Sequence, residues 1–170
     1  MDTMTKTTTA LSEFVTYRVF NASAERIWRA WTDREQLMQW FGPQGYIMTQ
    51  AKMDLRPGGI FHYALRSPEG QEMWGKWLFR EIEAPQKLVT VASFSNAQGG
   101  ITRHPLSPGW PLQILSTTTF KELDGKTTVT VRWAPLDATE QELQTFADAY
   151  DSMKQGWSGT FTQLAAYLDK

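Results

Sequence analysis

The stretch Trp31-Thr32-Asp33-Arg34-Glu35-Gln36-Leu37-Met38-Gln39-Trp40-Phe41-Gly42-Pro43, followed by Asp54-Leu55-Arg56-Pro57-Gly58-Gly59-Ile60-Phe61, decides how this chain reads. Its first half predicts a short helix. Asp33 with Gln36 three residues on has the form of a capping box, and Leu37 and Trp40 share a face. Gly42-Pro43 stops the helix. Its second half predicts a tight turn between strands, because Pro57 fixes φ and a glycine can take φ > 0.

Upstream, Glu13 to Phe20 alternates like a strand, with Val15, Tyr17 and Val19 on one side. Ser23 then caps a first helix carrying Ile27, Trp28 and Trp31. Downstream, strand signals run from Ile47 to Leu55, Ile60 to Arg66, Glu72 to Ile82, Lys87 to Phe94, Gln113 to Leu123 and Lys126 to Ala134. The last two flank Asp124-Gly125, a strong hairpin signal. Short turns predict an antiparallel sheet of about seven strands. One long break, Ser95 to Pro111, interrupts them, and a break of that length suits a lid.

From Thr139 onward the chain predicts one helix of about thirty residues. Thr139 and Glu142 form a capping box, and Leu143, Phe146, Tyr150, Met153, Trp157, Phe161, Leu164 and Leu168 recur at spacings of three and four. The sheet is the partner available to that stripe. Gly156 and Gly159 flank Trp157; they read either as close packing or as a bend that turns Trp157 toward a hollow. Lys154 falls inside the apolar stripe, where it either snorkels to water or offers a cationic handle.

Bulk properties exclude several classes. The length of 170 residues fits one domain, 13–170, behind a polar, Thr-rich tail at 1–12. The net charge of −1 and the absence of a basic run argue against nucleic acid. The chain has no Cys, which excludes disulfides and thiolate-bound metals. Its two His, His62 and His104, lack carboxylates at a spacing that would complete a metal site. We predict no metal and no cofactor. No run approaches the roughly 20 apolar residues of a membrane span, and no signal peptide is evident, so a cytoplasmic protein is expected. Nothing specifies an oligomer; a homodimer stays open.

The order of Trp31-Thr32, Leu37, Trp40-Phe41-Gly42-Pro43 and Asp54-Leu55-Arg56-Pro57-Gly58-Gly59-x-Phe61 resembles the activator of heat-shock-protein-90 ATPase homologue family. Gly75, Glu81-Ile82, Pro85 with Leu88, Thr128-Val129-Thr130-Val131 and Gly156-Trp157 with Leu164 and Leu168 extend the likeness over residues 13 to 168. That family lies within the START-related SRPBCC superfamily. The resemblance implies an α+β helix-grip fold: a curved antiparallel sheet wrapped on a long C-terminal helix around an internal cavity, with two short helices after the first strand. Relatives bind lipids, hormones or polyketides; a few are cyclases, and the namesake is a chaperone partner. The family carries no shared catalytic residue.

The leading expectation is therefore a protein that binds a small hydrophobic or amphipathic molecule. The alternatives are a cyclase or hydrolase using the same cavity, and a protein-interaction or chaperone-partner module. Tyr63, Trp77, Trp133, Tyr150 and Trp157 are the aromatic candidates for ligand contact, since most carry a polar handle on an apolar body. Met153 and Lys154 join them from the helix. Arg103 and His104, in the long break, either meet a polar ligand end or pin the loop. Trp28, Trp31 and Trp40 read as packing the short helices. His62 alternates with Phe61 and Tyr63 and should face away from them. No Ser-His-Asp arrangement can be assembled, and no catalytic residue is assigned.

Overall fold

The structure, a computed structural model, describes residues 13–170, so the expected tail at 1–12 lies outside the described residues. The elements run β1 (Phe14–Phe20), α1 (Ala24–Thr32), α2 (Arg34–Trp40), β2 (Ile47–Met53), β3 (Ile60–Arg66), β4 (Glu72–Glu83), β5 (Lys87–Ser95), β6 (Ile101–Thr102), β7 (Gln113–Leu123), β8 (Lys126–Leu136), α3 (Glu140–Asp148) and α4 (Tyr150–Leu168). The sheet is antiparallel, ordered β1-β8-β7-β5-β4-β3-β2, with the short β6 paired to β5 inside the long break. This is the α+β arrangement of a sheet holding a C-terminal helix.

Local chemistry explains the helix starts. The Ser23 hydroxyl accepts from the Arg26 N–H at 3.1 Å, and Asp33 accepts from Glu35 and Gln36 N–H at 2.9 and 3.4 Å. Gln36 does not close the expected box. Its amide oxygen accepts instead from the Arg26 guanidinium and from the Tyr167 hydroxyl, tying α2 to α1 and α4. At the turn after β2, a Cβ on Gly59 would lie 2.0 Å from the Asp54 carbonyl oxygen, so only glycine fits. Asp54 and Arg56 pair with each other there at 2.7 Å, exposed to solvent.

The terminal helix differs from expectation. It is two helices, separated at Ala149 (φ −92°, ψ 9°). The Ala149 N–H bonds to the Phe146 carbonyl, a tightened turn, and the Met153 N–H bonds back to Ala149. The apolar stripe is continuous in sequence, but its partners are not. Phe146 packs on Trp110 of the long loop, whereas Tyr150 packs edge-on against Phe14 of β1. One reset backbone position lets each half meet its own surface. Helix α4 runs through both Gly156 and Gly159 without a break.

In β1 the side carrying Tyr17 and Val19 faces solvent, and Phe14 and Phe20 are buried instead. Arg18 lies over the Phe161 ring at 5.7 Å and donates to Ser158 and Thr162 of α4. Trp31 is almost fully buried between Phe120 of β7 and Trp157 of α4, whose ring it parallels at 6.2 Å. Trp40 donates its indole N–H to the Ala30 carbonyl. These rings fasten α1 and α2 to the sheet and to α4 together. Charged strand residues stay on the surface: Glu81 pairs with Lys87 and Arg132 with Glu13.

Candidate functional site

A cavity of about 590 Å³ lies between the inner face of the sheet and α4. Its exposed lining residues, Pro43, Leu112, Ser152 and Gly156, mark the mouth, between the α2–β2 connection, the end of the long loop and the first turns of α4. Eight aromatic rings, five of them tryptophan, contribute to the wall, and no Asp, Glu, Lys or Arg is among the lining residues. An apolar hollow with a few directed polar groups is the usual form of a small-molecule site.

The wall is built in rows across the sheet. Tyr63 of β3, Gly75 of β4 and Phe94 of β5 are register partners. Gly75 is what lets Tyr63 lie down: a Cβ there would sit 2.5 Å from both Cζ and the hydroxyl oxygen of Tyr63. The phenol thus crosses the middle strand with its hydroxyl above β4. It stacks on Phe61, and the Trp77 indole faces its oxygen. Phe41, on the connection after α2, contacts Tyr63, Trp77 and Trp157 edge-on and closes the far side.

Burial pushes the Tyr63 hydroxyl up to about 12, against a smaller opposing pull from Trp77. The folded state therefore holds this proton more tightly than the unfolded chain, whose phenol titrates near 10. The stabilisation is fully present below pH 10 and is lost as pH rises toward 12, by about 2–3 kcal/mol in total. Denaturant unfolding at pH 9 and pH 11.5 should show that loss in the native chain. The Tyr63→Phe variant should lose less over the same interval; equal slopes would mean the phenol is not desolvated.

His104 sits beside the row. Its ring packs on Phe94 at 4.6 Å and on Trp110 at 6.3 Å. The Leu106 N–H donates to Nδ1 at 3.0 Å, which places the proton of the neutral ring on Nε2. Burial holds the imidazole below its usual range, so the neutral form is favoured. On the opposite wall, Trp133 donates its indole N–H to the Ser116 hydroxyl at 3.1 Å and packs edge-on against Trp157.

Of the residues singled out by sequence, Tyr63, Trp77, His104, Trp133, Met153 and Trp157 come together around the cavity. Tyr150, Lys154 and Arg103 are not part of its lining. Tyr150 is 44% exposed and spends its ring on Phe14, because the break at Ala149 turns it toward β1. Lys154 is exposed on the outer side of α4, so the cationic handle is corrected to a solvated side chain. Arg103 pins the loop: its guanidinium pairs with Glu142 and donates to the Trp110 carbonyl. The Glu142 carboxyl is held below its usual range first by the Thr139 N–H of the capping box and then by Arg103. His62 lies on the outer face, stacked on Trp74 with Nε2 at 3.1 Å from both the Ser95 hydroxyl and the Asn96 carbonyl. Sequence pattern missed Phe41, Gly75, Ser116 and Trp110. Gly75 was visible as a lone glycine in a strand, but only the register shows what crosses it.

Among the described residues, no group of three or more His, Asp or Glu is placed to hold a metal ion, and no helix is long and apolar enough to cross a membrane.

Comparisons with known proteins fit this architecture. No curated protein matches the sequence. Among solved structures, a protein of Arthrobacter aurescens is 25% identical with a TM-score of 0.78, over 95% of this chain and 88% of that one. The Ms6760 protein of Mycobacterium smegmatis is 25% identical with a TM-score of 0.75, over 93% of this chain and 91% of that one. The NE0264 protein of Nitrosomonas europaea, at 22% identity and a TM-score of 0.75, covers 94% of this chain and 96% of its own and shares the fold. A family model described as activator of Hsp90 ATPase homolog 1-like protein matches residues 21–169. With that match spanning nearly all of the sheet and both terminal helices, the chain belongs to the activator of Hsp90 ATPase homolog 1-like family.

Proposed function

We propose that this protein binds a small, uncharged hydrophobic or amphipathic molecule in the cavity under α4. One observation carries the reading: a hollow of about 590 Å³, walled by aromatic rings, without a charged side chain in its lining. Rings offer a ligand large contact area at little entropic cost, because they are already packed against one another. An ionised ligand end buried there would find no countercharge, and burying an unpaired charge is costly. Lys154 and Arg103, which a carboxylate-bearing lipid could have used, lie outside it. The protein acts in the cytoplasm in this reading, and needs neither metal nor cofactor.

A panel of neutral aromatic and aliphatic compounds, screened by thermal shift and native mass spectrometry, tests this. A ligand at about 100 times its Kd stabilises by about 2.7 kcal/mol, which for a chain of this size raises Tm by about 5–10 °C. A matched panel of fatty acids should give smaller shifts. If no compound in either panel moves Tm, the cavity is not a receptor.

An enzymatic role in the same cavity has one specific observation in its favour. Tyr63 and His104, both titratable and both displaced toward the neutral form, face the same hollow. The chaperone-partner reading rests on the family alone, and stimulation of a chaperone ATPase in a mixed assay is its test.

A further inference from the structure

We propose that the cavity selects a neutral ligand that carries a hydrogen-bond acceptor oxygen, most simply a ketone or related carbonyl, and that His104 and Tyr63 are the residues that read it. The inference rests on the receptor reading above and narrows its ligand class.

Two polar groups of the cavity already have an acceptor position taken, His104 and Ser116. His104 receives the Leu106 N–H on Nδ1, so its remaining nitrogen can only donate. Nε2 has no protein partner among the described hydrogen bonds and is not buried, since no buried side-chain nitrogen or oxygen of the described residues lacks one. The residue itself lines the hollow, which makes that nitrogen the donor it has to offer there. The Tyr63 phenol lines the same hollow and brings an O–H that can donate. The Ser116 hydroxyl receives the Trp133 indole N–H and likewise has its proton to give. Thr160, on α4, turns its hydroxyl away to the Gly42 and Gly156 carbonyls. Ser93, Ser107 and Ser152 can orient either way. The net offer of the wall is protons.

Tyr63 and His104 line the same part of the wall. Gly75 lays the Tyr63 ring over β4, so its hydroxyl lies about one strand spacing, ~4.8 Å, from the β5 backbone. Phe94 is the β5 residue opposite Gly75, and the His104 ring rests on Phe94. The phenol and the imidazole thus flank one end of the hollow. An oxygen bound at that end meets neutral donors and no countercharge. Both donors keep their protons over a wide pH range, so the ligand end need not be ionised. A ligand presenting only donors would leave the wall's protons unpaired, a penalty that sites built around polar groups use for selection.

The test uses 9-fluorenone, a flat neutral ketone, and fluorene, a hydrocarbon of the same outline. Affinities are read by quenching of tryptophan fluorescence, and the ketone's carbonyl stretch by infrared difference spectroscopy. Both probes are expected to bind the native chain, with the ketone stretch moved to lower wavenumber. His104→Phe and Tyr63→Phe should each weaken fluorenone about three- to tenfold, the range of one hydrogen bond, and leave fluorene within about twofold. Tyr63→Phe is nearly isosteric, so it carries the result if His104→Phe disturbs the loop. Binding of both probes with an unmoved stretch, or fluorenone affinities unchanged in both variants, overturns the acceptor-oxygen proposal and leaves the receptor reading intact. Failure of fluorenone to bind the native chain, while other neutral compounds shift Tm, also overturns it, whereas binding of fluorenone without fluorene supports it. Absence of binding by every neutral compound overturns both.

Discussion

Trp157→Ala is expected to destabilise the protein by about 3–5 kcal/mol, the range for removing a buried large aromatic. A domain of this size is held by only about 5–15 kcal/mol, so the variant sits near the edge of folding. In a thermal melt, a loss of Tm on the order of 10 °C or more should appear. The size follows from what the indole touches. It parallels Trp31 at 6.2 Å, meets Trp133 at 5.7 Å and Phe161 at 5.3 Å, and contacts Phe41 edge-on. Those partners come from α1, β8, α4 and the connection after α2. One side chain therefore joins the short helices, the sheet and the terminal helix, while also forming a wall of the cavity. Truncation should leave a void continuous with the existing hollow, which water can fill, and the four rings lose their common neighbour. Tyr17→Ala, on a 68% exposed ring, is the comparison and should change stability by less than about 0.5 kcal/mol. A Trp157→Ala loss no larger than that of Tyr17→Ala would mean that the helix is held by its other contacts.

The same residue shows what could be read from sequence. The spacing Phe146, Tyr150, Met153, Trp157, Phe161, Leu164 is a helical stripe, and a stripe predicts burial without naming the partner. Met153, Trp157, Phe161 and Leu164 are buried as that pattern requires. Tyr150 is not, because the stripe contains no sign of the backbone reset at Ala149, where neither glycine nor proline stands. That reset is a tertiary effect: two docking surfaces, Trp110 and Phe14, compete for one helix face. Lys154 was placed beside Trp157 by projection, yet one position along a helix rotates a side chain by about 100°, enough to carry it from cavity to water. Tyr63, Trp77 and Trp133 were legible as strand aromatics that join a polar handle to an apolar body. His104 was legible only as a residue in a long loop. Whether it lined a hollow or merely held the loop could not be read locally; in the structure Arg103 pairs with Glu142 and His104 lines the cavity.

The orientation of polar groups was not legible at all. A sequence shows that a chain has histidine, tyrosine and serine. It does not show that the Leu106 N–H is directed at the acceptor side of His104 and the Trp133 indole at that of Ser116. The second pair joins two strands 17 positions apart, and the first depends on how the loop turns, so no sequence pattern signals either. Gly75 belongs to the same class. Its neighbours Trp74 and Trp77 suggest a strand, and only the β3–β4 register reveals the ring lying across it.

Gly75→Ala is accordingly expected to weaken binding of any compound that the proposed cavity takes, at modest cost to the fold. The added methyl would lie 2.5 Å from Cζ and the hydroxyl oxygen of Tyr63 and 2.9 Å from Cε2, distances that cannot be held. The strand itself gains from alanine, which has a smaller conformational entropy to lose than glycine. The conflict is resolved by moving the ring, and the free space beside it is the cavity. Overpacking of this kind typically destabilises by about 1–3 kcal/mol. Rotation of Tyr63 into the hollow also occupies volume the ligand needs and takes the hydroxyl away from the Phe94–His104 end. Affinity for any compound found by thermal shift should fall by about tenfold or more, by isothermal titration. The double variant Gly75→Ala/Tyr63→Ala separates steric conflict from a general effect on β4. With the ring gone, the methyl has nothing to strike, so the two substitutions should be strongly non-additive in stability, by about 1–3 kcal/mol. Additive losses would mean that the glycine serves the strand rather than the ring. An unchanged affinity in the single variant would mean that the ligand does not use the space over β4.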